Sequence, residues 1–478
     1  MQPFRMSAVA LLDAYRSRAL SPPEAMRDVL QRVACFEPHI HATYLLAPER
    51  ALAQARASEE RWRRGEPVGP LDGVPVTIKE NVPTKGEPVP LGTAASDLVP
   101  ATEDAPPAAR LREAGAIVFA KTTMPDYGML SSGLSSFHPL TRNPWDLTRN
   151  PGGSSSGAGA GAAAGYGPLH LGTDIGGSIR LPAGWCGVFG LKPSLGRVPI
   201  DPPYIGRVAG PITRSVADAA LMMATLAQPD ARDFMSLPPQ LLDWHIEPAE
   251  LAGLRIGLLL EAGCGYPTAT EVRAAVERAA GDLAAEGAVV EPVAPFLTQE
   301  MLDGLDRFWR MRALVDMRGK PPERREKILP FIRAWAESAA PLSGEEIFHG
   351  FSQIMVTRKA AVAATVPYDF VISPTAPITA FAAELASPSD DPLNPLPQIG
   401  FTVAFNMSEQ PAASINCGYS SEGLPIGLQI IGRRFDDLGV LSVAMAFEAM
   451  RASQARAWPE PPASAGADNA RSAPGERG

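Results

Sequence analysis

The chain has 478 residues, of which 45% are hydrophobic and 20% charged, and it carries a net charge of −9. That composition belongs to a globular protein, and the acidic balance argues against nucleic acid as the main ligand, because no overall basic field exists. No run approaches the roughly 18 apolar residues of a membrane span, and the charged N-terminal stretch MQPFRMSAVALLDAYRSRALSPPEA reads as an amphipathic helix, not a signal peptide.

Residues 7–64 read as helices with apolar positions at helical spacing, so 1–64 is an N-terminal helical segment. VPVTI (74–78) is the first strand; a helix over 105–114, a stop at Gly115 and a strand over 116–120 follow as an α/β building block. Residues 215–226 form a capped helix with Asp218 as the acidic residue of its first turn, and 229–248 are a Pro-rich connector. A strand over 254–260, an amphipathic helix over 270–286 and a strand over 288–292 make a βαβ unit. Residues 298–350 are helical and rich in aromatics and Arg. Late strands fall at 369–373, 414–416 and 427–431, and the last helix at 438–452. The Pro/Ala/Gly-rich tail 459–478 is expected to be disordered. This alternation favours one large α/β body over 65–458. Cys35, Cys186, Cys264 and Cys417 lie far apart without a CxxC pair, the usage of free, mostly buried thiols in a reducing cytoplasm.

The most informative stretch is 151–193, PGGSSSGAGAGAAAGYGPLHLGTDIGGSIRLPAGWCGVFGLKP, with two serine-bearing glycine turns around a small-residue segment. Four readings compete. A flexible linker suits the composition, but the apolar and aromatic residues that follow suggest burial. The Gly157–Ala162 run fits a permissive GxGxxA dinucleotide loop, yet no strand precedes it. Gly153 to Gly157 match GxSxG with Ser155 in the middle, again without the strand that a nucleophile elbow needs. The histidines, at 39, 41, 138, 170, 245 and 349, include none near the C-terminus where that fold's base would come. The fourth reading pairs both turns with a lysine. Ser178 follows Gly176 and Gly177, whose unhindered N–H groups suit an oxyanion hole, and Ser154 can stand between Ser178 and a base. Lys79 ends the strand VPVTI, which places its amine at a sheet edge; in an apolar surround an amine loses part of its ammonium preference. Lysine occurs only at 79, 85, 121, 192, 320, 327 and 359 against a background of arginine.

Taken together, GVPVTIKEN around Lys79, NPWDLTRNPGGSSSGAGAGAAAG and GTDIGGSIRLPAGWCGVFGLKPSLGRV resemble the amidase signature family, as does the spacing of Lys79, Ser154 and Ser178. The resemblance runs over about 5–455 and includes the late block FNMSEQPAASINCGYSSEGLPIGLQIIG. It implies a large twisted mixed β-sheet covered on both faces by helices, with no metal and no organic cofactor. It also implies Ser178 as nucleophile, Ser154 as a bridging serine held by a cis Gly153–Ser154 peptide, and Lys79 as general base. Ile175, Gly176, Gly177 and Ser178 would supply the oxyanion N–H groups, and Ser155 would support the network. Ser156 stands where many members have Gly, outside the relay. Asp174, Arg180 and the buried Cys186 are read as structural.

The implied reaction is hydrolysis of a carboxamide through an acyl-enzyme, with esterase side activity expected because esters give the same intermediate. Residues 127–133 correspond to the family's acyl-pocket lining, which makes Met129 and Ser131 substrate-binding candidates. Phe308, Trp309, Phe331 and Trp335 fall in the variable helical region 298–350; their spacing favours core packing, and if they face the pocket an aryl or hydrophobic amide suits it. The family rival is the glutamine-hydrolysing component of a tRNA-dependent amidotransferase. That component typically carries an acidic residue where this chain has Ile399, three positions before Thr402. The expected partner is a small-molecule amide, with no nucleic acid and no membrane; a homodimer is left open.

Overall fold

The computed structural model, which describes residues 2–451 and 458–461, gathers the chain's short apolar runs into a sheet where both their faces are buried. The strands among the described residues are β1 (Thr43–Tyr44), β2 (Pro75–Lys79), β3 (Ile117–Thr122), β4 (Leu169–Asp174), β5 (Phe189–Lys192), β6 (Val208–Thr213), β7 (Arg255–Leu258), β8 (Val289–Pro292), β9 (Phe370–Pro374), β10 (Ala412–Tyr419) and β11 (Pro425–Ile431). They form one 11-stranded sheet in the order β1-β3-β2-β4-β6-β5-β10-β11-β9-β7-β8. β3, β2 and β4 run parallel, as do β9, β7 and β8, while the strands between them pair antiparallel. The sheet is therefore mixed.

Val76, Ile78, Leu169 and Leu171 belong to a large apolar cluster with residues of the Ala8–Ser17, Val216–Leu226, Thr270–Ala285 and Asp437–Met450 helices. Ile117 and Phe119 of β3 pack instead with Ala160 and Ala164 and with the Pro22–Ile40 helix. The sheet is thus covered by helices on both faces, as the sequence implies. Asp218 does more than open its own helix. Its Oδ1 accepts the N–H groups of Ala8 (2.8 Å) and Val9 (3.3 Å), capping the N-terminal helix from a distant part of the chain.

β2 lies between β3 and β4, so Lys79 sits at the carboxyl end of an interior strand and not at a sheet edge. That corrects the sequence expectation, and the parallel neighbours explain it: an apolar strand flanked on both sides has no solvent-facing edge. The strands β4, β5 and β6 were not legible, because Gly, Pro and polar residues interrupt the apolar runs of LHLGTD, FGLK and VAGPIT. Among the described residues no helix is long and apolar enough to cross a membrane. The cysteines are free; Cys186 and Cys417 are buried, but Cys35 is exposed. Arg32 Nη2 donates to Pro459 O (2.6 Å), and the rest of the expected disordered tail, from 462 on, lies outside the described residues.

The small-residue segment is the Ser156–Ala164 helix, buried at every residue. A Cβ on Gly157 would fall 2.1 Å from Ala42 O and 2.5 Å from Thr123 N, so only glycine permits this approach. Gly157→Val should lower the unfolding free energy by about 1–3 kcal/mol through overpacking. Gly281→Ala, in the Thr270–Ala285 helix with nothing within 4 Å of the added carbon, should raise it by about 0.5–1 kcal/mol. Urea midpoints of the two variants check both signs.

Candidate active site

The parallel β2–β4 register, with Ile78 opposite Leu171, brings the carboxyl ends of the two strands together. Lys79 Nζ consequently donates to Thr173 Oγ1 (3.0 Å) and lies 2.7 Å from Ser154 Oγ. Asn81 Nδ2 donates to the same threonine oxygen at 3.1 Å. The Gly153–Ser154 peptide bond is cis. Gly153 is required there, because a Cβ would meet Leu130 O and Ser132 N at 2.7 Å.

Ser155 joins the two serine turns. Its N–H donates to Ser178 O (3.2 Å), its Oγ donates to Thr173 O (3.1 Å), and the Thr173 N–H donates back to that Oγ (3.2 Å). The Ser156 hydroxyl is directed away, donating to Thr123 O (3.3 Å). His170, the histidine inside the stretch, pairs with Thr77 Oγ1 (2.7 Å) and lies 3.2 Å from Gly167 O. Burial, reinforced by Arg214, pushes its pKa down to about 3, so it is a neutral structural group.

The Ser178 turn is held by charge. Asp174 Oδ1 accepts the Gly177 N–H (2.8 Å) and Oδ2 accepts the Ile179 N–H (3.0 Å). Arg180, fully buried, donates to both carboxylate oxygens at 3.0 Å and also to Thr402 O, Gln429 Oε1 and Asn406 Oδ1. Burial alone would raise the Asp174 pKa; the Arg180 charge and these hydrogen bonds outweigh it and hold the carboxyl below its usual range. Because Gly177 spends its N–H on Asp174, the N–H groups left without an acceptor among the described residues are those of Ile175, Gly176 and Ser178.

Lys79 is completely buried. That desolvation, aided by the positive charge of Arg207 and opposed by Asp174 and Glu80, holds its pKa well below the ordinary lysine value. The amine can therefore carry a lone pair toward Ser154.

Two chambers, one lined by Ser178 and the other by Ser154, share Gly128, Met129, Ile175 and Arg312. The first is a narrow cleft lined by Met129, Ser131, Ile175, Gly176 and Ser178, with apolar walls from Leu181, Trp309, Trp335, Leu396 and Ile399 and with Arg312 at its boundary with the second chamber. Of the four aromatic residues singled out in 298–350, Trp309 and Trp335 line this cleft. Phe308 instead stacks edge-on against Phe351. Ser131 Oγ accepts from Gln398 Nε2 (3.0 Å). The second chamber, about 570 Å³, is lined by Ser154, Thr173, Asn81, Tyr127, Tyr204, Arg207 and Arg312, among others. Sequence reasoning missed Thr173, which precedes Asp174, and Asn81, which lies two residues after Lys79. No local signal marks Arg207 or Arg312, which reach the site from the loop between β5 and β6 and from a helix far along the chain.

Removing the guanidinium in Arg180→Met should strand the buried Asp174 charge and cost about 3–5 kcal/mol. The double variant Asp174→Asn, Arg180→Met should recover part of that loss, and denaturant midpoints of the three proteins check it.

The chain matches the Amidase family model over residues 24–441. It is 36% identical to the A component of the glutamyl-tRNA(Gln) amidotransferase of Moorella thermoacetica, across 94% of this chain and 97% of that protein. Among solved structures it is similar to a bacterial aryl acylamidase of the amidase signature enzymes, with 31% identity and a TM-score of 0.85, covering 93% of this chain and 96% of that one. The peptide amidase from Stenotrophomonas maltophilia is similar at 25% identity and a TM-score of 0.81, covering 96% and 99%.

Proposed function

This chain belongs to the Amidase family, hydrolases acting on carbon–nitrogen bonds, and within that family we propose that it is a stand-alone amidase using Ser178, Ser154 and Lys79. The observation that carries the reading is the 2.7 Å contact between Ser154 Oγ and a buried lysine amine whose pKa is held down. Neutral Lys79 takes the Ser154 proton as Ser154 takes that of Ser178, and Ser178 Oγ attacks the amide carbonyl. The N–H groups of Ile175, Gly176 and Ser178 receive the developing oxyanion; Gly177 shapes the turn through Asp174. As the carbon–nitrogen bond breaks, the proton returns through Ser154 to the leaving nitrogen, which departs as ammonia or an amine. Water then gives its proton to the same relay and attacks the acyl-enzyme, releasing the carboxylic acid and restoring the Ser178 hydroxyl. Esters enter by the same acyl-enzyme, so esterase side activity belongs to the proposal.

The apolar cleft with Trp309, Trp335, Leu396 and Ile399 favours an aryl or hydrophobic acyl group. It offers an isoleucine where the glutamine-hydrolysing component of an amidotransferase would hold an amino group with a carboxylate. The second reading, an amidotransferase component that needs partners, is supported by the 36% identity to such a protein. Purified protein assayed alone on aliphatic and aryl anilides, indole amides and glutamine separates the two. Anilide turnover without partners is expected; glutaminase activity that appears only with added amidotransferase partners would overturn the stand-alone reading.

Ser178→Ala should reduce kcat by at least about 10⁴-fold. Lys79→Ala should cost about 10²–10⁴-fold, most severely at acidic to neutral pH where few other bases are deprotonated. Full activity in that variant would sink the relay. Because the working form of Lys79 is the neutral amine, activity falls as pH drops through its depressed pKa. Arg207→Gln removes a charge that depresses that pKa, so the acid limb of the kcat/KM profile should move to higher pH.

A further inference from the structure

Arg207 and Arg312 both line the 570 Å³ chamber beside Ser154 and Thr173. Neither guanidinium makes an ion pair or a side-chain hydrogen bond among the described residues, whereas the interior arginines 32, 180, 197 and 214 are all committed to acceptors. Arg207 Nε is buried without an acceptor. Arg312 rests on the Tyr204 ring, 4.6 Å from its centroid. Asp201 and Asp316 line the same chamber, but neither pairs with these two cations; Asp316 is exposed at the rim, and Asp174 is spent on Arg180. Two partly desolvated guanidiniums facing one cavity repel each other, and each lowers its cost by receiving an anion. Burial and the Arg312 charge weaken the Arg207 hold on its proton, and the Asp201 carboxylate opposes them only in part. A planar fork of donors suits a carboxylate.

We infer that Arg207 and Arg312 form a carboxylate subsite on the leaving-group side, so that the preferred substrate joins an apolar acyl group to an amine bearing a carboxylate, as in an N-acylated amino acid or aminobenzoate. The side follows from the relay and rests on the proposed function: the proton returns to the leaving nitrogen through Ser154, and Ser154 lines the chamber to which Arg207 is confined, with Arg312 at the boundary between that chamber and the apolar cleft. The acyl part is left with the apolar cleft of Leu181, Trp309, Trp335, Leu396 and Ile399.

The test is calorimetric binding of two released amines to the whole protein, 5-amino-2-nitrobenzoate and 4-nitroaniline, alongside turnover of their hexanoyl amides. The carboxylated amine should bind at least about tenfold more tightly at low salt, and its amide should show a similar advantage in kcat/KM. Arg312→Gln and Arg207→Gln should each bring the binding ratio toward about 1, while Arg312→Lys keeps part of it, with thermal midpoints reporting folding. Equal binding of the two amines by the unaltered protein overturns the subsite without any variant. So does a preference for succinyl 4-nitroanilide over the carboxylated anilide, which would put the anion on the acyl side. Selective binding without turnover of either amide supports the subsite and sinks the amidase reading. Turnover of both without selective binding does the reverse.

Discussion

The buried ion pair between Asp174 and Arg180 is the constraint on which the site depends. Asp174 ends β4 and collects the N–H groups of Gly177 and Ile179, so the turn that carries Ser178 has its shape dictated by one carboxylate. Arg180 extends that hold to Thr402 and Asn406 in the Gly400–Met407 helix and to Gln429 in β11. Two charges in an interior of low dielectric are tolerable only because nearly every donor and acceptor around them is matched. One pair therefore ties the Ser178 turn to elements more than two hundred residues away.

Burial by itself does not make a base. Lys121 and Lys192 are as deeply buried as Lys79, and desolvation drives them down to about 8 and about 7. Their amines, however, are spent locally: Lys121 donates to Val82 O and Thr84 Oγ1, and Lys192 to Pro193 O. Lys79 differs because its partners are a serine in a chamber wall and a threonine at the end of the neighbouring strand. Position in the sheet, more than proton affinity, sets this amine apart.

The βαβ unit, the Val216–Leu226 helix and the late strands were readable because their apolar residues repeat at the period of the element they form. β4, β5 and β6 were not: β9 and β11 are just as buried but keep short apolar runs, whereas Gly, Pro and polar residues interrupt LHLGTD, FGLK and VAGPIT. Lys79 was misplaced at an edge for another reason: a single strand's pattern does not reveal how many neighbours it has. In the site, Ser154, Ser178 and Lys79 stand in motifs that can be read along the chain. Trp309 and Trp335 could be named as aromatic residues but not assigned to the cleft, because the face a helix presents depends on what packs against it.

Family membership was written in the linear order of the chain, because the motifs around Lys79, Ser154 and Ser178 are recognisable as residue types in fixed local settings. The close packing of Gly157 and its small neighbours was written there too, since only small side chains allow such an approach. Three properties emerged solely from the folded molecule: which N–H groups stay free around Ser178, which buried lysine faces a serine, and that Arg207 and Arg312 share a chamber with Ser154 and Thr173. They depend on distances between segments far apart in the chain, and distance across a fold is set by packing of the whole sheet and its helices.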